Sequence, residues 1–200
     1  SAVPGTCTFS MRYHMFGGQQ SWSLRVYVMD ASNNYRNILY KNGPQHTSQS
    51  DQWDLFTYNL MTYYAGQSVR ILIIHGSGNG TGNSFEADTA VDAMVLTTNG
   101  SSVNYSAEGG SSQWGQSSGE TSLGNSLNLS SGSYGSLASA ASSRSWQIEP
   151  GGSTPSSNTG PDRAHNNNAS TDYFYFEASG SVSFYSYYGL RMVNSFAVPS

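Results

Sequence analysis

Three carboxylates, Glu86, Asp88 and Asp92, fall within the seven residues "EADTAVD". Hard oxygen ligands this close suit a structural Ca²⁺, with Asp162, Asp172 or Glu177 as further donors, although the spacing is not that of an EF-hand loop. The same residues also read as a solvated acidic loop, the reading favoured over a metal site. A second kind of chemistry is covalent: five Asn-X-Ser/Thr sequons begin at Asn79, Asn99, Asn104, Asn128 and Asn168. Each is an acceptor for N-linked glycan, and an Asn- and Ser-rich chain also produces the motif by accident. A third is stacking. Trp114, and Tyr187 in "FYSYY", offer flat faces on which a sugar ring could lie, unless they serve as ordinary sandwich packing.

Other chemistries find little support. "ILIIHGSGNGTG" places four glycines after an apolar run, but a phosphate-cradling loop needs a helix N-terminus behind it, and "NSFEADTAVDAM" leads into another strand-like run. The four histidines show no pair at metal-ligand spacing. His14 falls on the polar side of an alternating stretch, where a surface position is expected. His165, close to Asp162 and Arg163, suits a structural hydrogen bond. No Gly-X-Ser-X-Gly elbow is present, and no catalytic constellation emerges, so the chain is not expected to be an enzyme.

The surface chemistry is equally spare. Charged residues make up 10% of the 200, with Lys41 the single lysine and a net charge of −4. No basic stripe exists to neutralise a phosphate backbone, so nucleic acid is not an expected partner. The longest apolar run, Ile71 to Ile74, is far short of the roughly 20 residues that span a membrane as a helix. No leader-like stretch opens the sequence, a pattern of a mature fragment or of a cytosolic chain. Cys7 is the only cysteine, which leaves no intramolecular disulfide and reads as a buried core thiol.

The elements that must position these groups are strands. In "CTFSMRYHM" apolar residues alternate with polar ones, the period-2 pattern of a half-buried strand. "WSLRVYV" repeats it, with Trp22, Leu24, Val26 and Val28 on one face. "SVRILIIHG" reads as a more fully buried strand, and "TAVDAMVLT" sets Val91, Ala93 and Val95 opposite Asp92 and Met94. "DYFYFEAS" and "SVSFYSYYGLRM" are rich in β-branched and aromatic residues. Turn clusters separate the runs, and no amphipathic helix stands out. The fold class is all-β, an antiparallel β-sandwich of jelly-roll type. Residues 99–145 form a Ser/Gly-rich connection, yet Trp114 and several leucines within it suggest that parts dock as edge strands.

Two groups of motifs carry a family resemblance. "STPSSNTGP" (Ser153 to Pro161) followed by "STDYFYFEAS" is similar to the first half of a MAM domain. "CTFSMRYHMFG", "WSLRVYV", "DQWDLFTYNL" and "DTAVDAMVL" resemble its second half. The resemblance implies an extracellular jelly-roll domain that mediates contacts and is not itself catalytic. Two departures stand out. The family's paired cysteines are reduced to Cys7, and Ala164 of "DRAH" stands where the family has Asp.

The order is inverted: residues 1–98 match the second half, and residues 146–200 the first. A circular permutation would produce this, and so would a window cut from a tandem array. Ala-Val-Pro occurs at Ala2 to Pro4 and again at Ala197 to Pro199, a period of 195 residues. Joining Ser200 to Thr6 gives "SFAVPS-TCTFSM", an uninterrupted run through the middle of a MAM-like domain, which favours the array. The expected function is therefore structural: a glycosylated extracellular or cell-surface repeat whose partners are copies of itself, joined into a fibre, sheath or stalk by shared strands or half-domains. The other reading is a cell-surface adhesion or carbohydrate-binding module.

Overall fold

The computed structural model describes residues 5–18, 22–76, 88–105, 114–116, 138–139, 146–148, 174–177, 187–192 and 194–200. Strand β1 (Cys7–Phe16) pairs antiparallel with β4 (Asp54–Asn59) on one side and with β6 (Asp88–Thr98) on the other. Beyond β6 the first sheet continues through β11 (Phe174–Glu177), β10 (Trp146–Ile148) and β9 (Ala138–Ser139). The β10–β11 pair is parallel, an exception in an otherwise antiparallel sheet. The second sheet runs β3 (Tyr35–Asn42), β2 (Ser23–Asp30), β5 (Ser68–Gly76), β12 (Tyr187–Met192) and β8 (Trp114–Gln116). The short β7 (Ser101–Asn104) lies beside β6, and β13 (Phe196–Ala197) beside β5. One helical turn, α1 (Met61–Tyr64), links β4 to β5.

The two sheets pack face to face as an antiparallel β-sandwich, because each strand presents one apolar face. Cys7, Phe9, Met11, Tyr13 and Met15 of β1 point inward, as do Leu24, Val26 and Val28 of β2 with Trp22 just before it, and Val69, Ile71 and Ile73 of β5. All are almost fully buried, and each large side chain so removed from water stabilises the fold by about 1.5–3 kcal/mol. The alternate residues of β5 and β2 build a second cluster: Tyr27, Met29, Leu72 and Ile74, with Tyr35 packed against it. The strand "SVRILIIHG" is thus buried on both faces, which explains its unbroken apolar run.

Strand β6 departs from the alternation. Arg12 pairs with Asp92 and Ser10 with Val95, so Ala93 and Met94 together oppose Met11 as a β-bulge. Ala93 carries the extra residue at φ 48°. The bulge reverses the facing beyond it. Val91 points into the core, then Met94 and Leu96 do, while Ala93 and Val95 are only half-buried. The expected face of Val91, Ala93 and Val95 is corrected accordingly. Left-handed backbone costs an L-residue with a Cβ roughly 1 kcal/mol. Ala93→Gly is therefore expected to raise the unfolding free energy by up to about 1 kcal/mol, despite the greater freedom of glycine in the unfolded chain. Urea denaturation checks it, and a clear loss of stability would contradict the bulge geometry.

The turn after β6 is a two-residue hairpin. Asn99 (φ 49°) and Gly100 (φ 80°) both take positive φ between the paired Thr98 and Ser101, the type I′ geometry that Asn-Gly favours.

Candidate functional site

Strands from the beginning and the end of the chain share both sheets, through β6–β11 and β5–β12, and they meet again at a seam near Ser200. β13 pairs with β5 at Phe196–Val69 and Ala197–Ser68. The ladder then continues as single bonds. Val198 N donates to the Gln67 carbonyl at 2.8 Å, and Gly66 N donates to the carbonyls of Val198 (3.1 Å) and Pro199 (2.9 Å). Gly66 can aim its N–H this way because it sits at φ 75°, a conformation open to glycine. Between these bonds the Val198 side chain enters the main core, 2% exposed.

Across the seam, Gly5 lies directly against Pro199. A Cβ placed on Gly5 would fall 2.6 Å from Pro199 Cβ, closer than carbon atoms can approach, so only glycine fits. The next residue is tied down too: Thr6 N donates to Asn99 Oδ1, and Asn99 N to the Thr6 carbonyl, both at 2.9 Å. The seam therefore joins residues 5–6, the β6–β7 hairpin and the Ala-Val-Pro tail at one end of the sandwich. The repeated tripeptide pointed to this place in the sequence. The close contacts of Gly66 and Gly5 with the tail are not legible in the sequence, because an approach between distant segments leaves no local pattern.

A second cluster sits on the outer face of the first sheet. The loop over residues 43–53 folds onto β1. His46 N and Gln45 N donate to the Met15 carbonyl, and Met15 N donates to His46 Nδ1, each at 3.0 Å. His46 Nε2 then faces the Gln52 carbonyl at 3.1 Å. A carbonyl only accepts, so the neutral ring carries its proton on Nε2. Asp51 Oδ2 closes the loop by accepting from Thr47 N, Thr47 Oγ1 and Ser48 N, which holds its carboxyl below the usual range. Arg12 Nη1 ties the far end to the Trp53 carbonyl.

His14 is sealed beneath this loop. It stacks on His46 with ring centroids 4.0 Å apart, and Trp53 lies 5.8 Å away. The expected surface position is corrected: His14 is fully buried. Burial, and then the neighbouring His46, push its pKa down to about 3. In the sandwich interior His75 of β5 bonds Thr89 Oγ1 of β6 at 3.0 Å, and burial pushes it to about 3 as well. Both rings are neutral structural groups at neutral pH, closed to any substrate.

The remaining site residues are placed as follows. Asp88 and Asp92 are fully buried within β6 rather than in a solvated loop, while Glu86 lies outside the described residues. Asp88 pairs in register with Glu177 of β11, and Asp162 and Asp172 lie outside the described residues. Among the described residues no group of three His, Cys, Asp or Glu side chains is arranged to hold a metal. Asn99 and Asn104 are exposed on the β6–β7 hairpin; Asn79, Asn128, Asn168 and His165 lie outside the described residues.

Trp114 is corrected as a sugar platform. It is 3% exposed, and its indole N–H donates to the Tyr105 carbonyl at 2.8 Å. Tyr187 is in β12, with its side chain outside the described residues. Exposed rings occur instead at Tyr63, with the Arg36 guanidinium 3.8 Å above it, and at Tyr40, with Arg25 at 5.0 Å. Cys7 is a buried free thiol. Among the described residues no helix is long and apolar enough to cross a membrane.

Comparison with protein-family models, curated proteins and solved structures found no match to this chain.

Proposed function

We propose that this chain is one repeat of a glycosylated, extracellular structural protein built from MAM-like sandwiches, which assembles end to end into a fibre, sheath or stalk. One observation carries the reading. The 195-residue period of Ala-Val-Pro equates Ser200 with Gly5, and Gly5 packs against Pro199, the neighbour of Ser200. A sequence repeat and a spatial contact coincide at a single seam. The MAM-like order of the motifs requires the halves to join there. The exposed sequon residues Asn99 and Asn104 suit glycans that solvate a surface poor in charge.

Electron microscopy and intact mass of native material, before and after enzymatic removal of N-glycans, test the proposal. Filaments whose chain loses mass on deglycosylation are expected. Monodisperse, sugar-free single chains would overturn it. The adhesion or carbohydrate-binding reading draws on the exposed Tyr63 and Tyr40. Binding of a defined sugar that is lost in Tyr63→Ala would favour it instead.

A further inference from the structure

We propose that the segment Gly66–Val69 is the joint between copies of this chain, and that in assembled material it seats Ala197-Val198-Pro199 of a second copy. The inference rests on the repeat reading and names the site that reading requires.

The seat is specific. Ser68 and Val69 supply a strand edge, Gln67 a carbonyl and Gly66 a left-handed N–H that reaches two successive carbonyls of the tail. Val198 is the anchor that fills the core beneath. Strand addition of this kind takes affinity from main-chain bonds and selectivity from the alternate side chain that enters a pocket.

The tail is separated from β12 by a break in the pairing. β13 is two residues long. Asn194 and Ser195 before it are exposed, and the register breaks between Arg191–Leu72 of β12 and Phe196–Val69 of β13. Ser195 borders a surface cavity of about 250 Å³ shared with Asp30, Asn33 and Arg70. The tail can therefore leave one seat and enter an identical one while β12 keeps its own pairing.

The second copy follows from the repeat. The chain contains the tripeptide twice, and the copy described in the seat is Ala197-Val198-Pro199. Gly5, which directly follows the first Ala-Val-Pro, touches Pro199 of the seated one. A preceding copy whose tail lies in this seat would thus set its Pro199 against Gly5 of this one. The seat belongs to the first half of the chain and its occupant to the second, so exchange between copies joins them head to tail. That is the heterologous contact from which open filaments grow.

Disulfide trapping tests it on the full chain. Ser68 and Ala197 are directly opposed across β5 and β13, a distance that a disulfide can bridge. Ser68→Cys and Ala197→Cys are made in separate chains, mixed under assembling conditions and oxidised, and the linked peptides are mapped so that Cys7 is accounted for. A species of twice the chain mass, linked between positions 68 and 197 and absent from either variant alone, is the expected result. The double variant, which can close within one chain, verifies the register. If filaments form, the double variant closes internally and the mixture yields no 68–197 link, the joint is elsewhere and the repeat reading stands. If the chains remain single and all links are internal, both fall.

Discussion

Between pH 7.5 and pH 4.5 the protein is expected to lose about 5 kcal/mol of folding stability through two histidines alone. His14 and His75 have folded pKa values near 3, against an ordinary value of 6.5. A depressed folded pKa means that the unfolded chain binds more protons in the interval between the two values. Stability from these groups is therefore complete above about pH 6.5 and is lost as pH falls toward 3. Each contributes a slope of about 1.4 kcal/mol per pH unit where the unfolded ring is charged and the folded one is not. The loss is comparable with the total stability of many domains, about 5–15 kcal/mol.

Chemical denaturation across this range measures the slope directly. His14→Phe keeps an aromatic ring against His46 and Trp53 and removes one titrating site, so it is expected to halve the histidine contribution. A slope that is unchanged in His14→Phe would show that the ring under the 43–53 loop does not resist protonation.

Trp114→Ala is expected to cost about 3–5 kcal/mol, the range for removing a buried large aromatic from a core. Trp114 is held by three kinds of contact. Its ring is buried in the main cluster, its edge meets Tyr105 at a centroid distance of 6.2 Å, and its N–H bonds the Tyr105 carbonyl. Its backbone pairs with Met192, so the side chain also anchors β8 to β12. Trp114→Phe is expected to lose less, about 1–3 kcal/mol, because packing is largely kept while a carbonyl loses its donor. Guanidinium denaturation of both variants checks this. Any glycan binding by the folded protein should be unchanged in either variant, since the ring is not at the surface. An unaltered denaturation midpoint for Trp114→Ala would overturn its assignment to the core.

Much of the architecture was legible because alternation is a local property. β1, β2 and β5 occur where the apolar periodicity requires them, and Cys7, Phe9 and Met11 face the core as their spacing implies. β6 was legible as a strand but not in its facing. Its bulge sits at Ala93, where glycine would have marked the left-handed residue. Asp88 and Asp92 looked like a solvent-facing or cation-binding group, and their burial in β6 depends on neighbouring elements rather than on their own spacing.

By itself, the sequence determined the all-β class, the inward faces of two strands, β1 and β2, and the repeated tripeptide that marks the seam. Each follows from short-range pattern or exact recurrence. Only the tertiary structure decided that a loop seals His14, that Trp114 is interior, and that Gly5 meets Pro199. These depend on which distant segments cover one another, and coverage is set by the packing of whole faces, which no local spacing records.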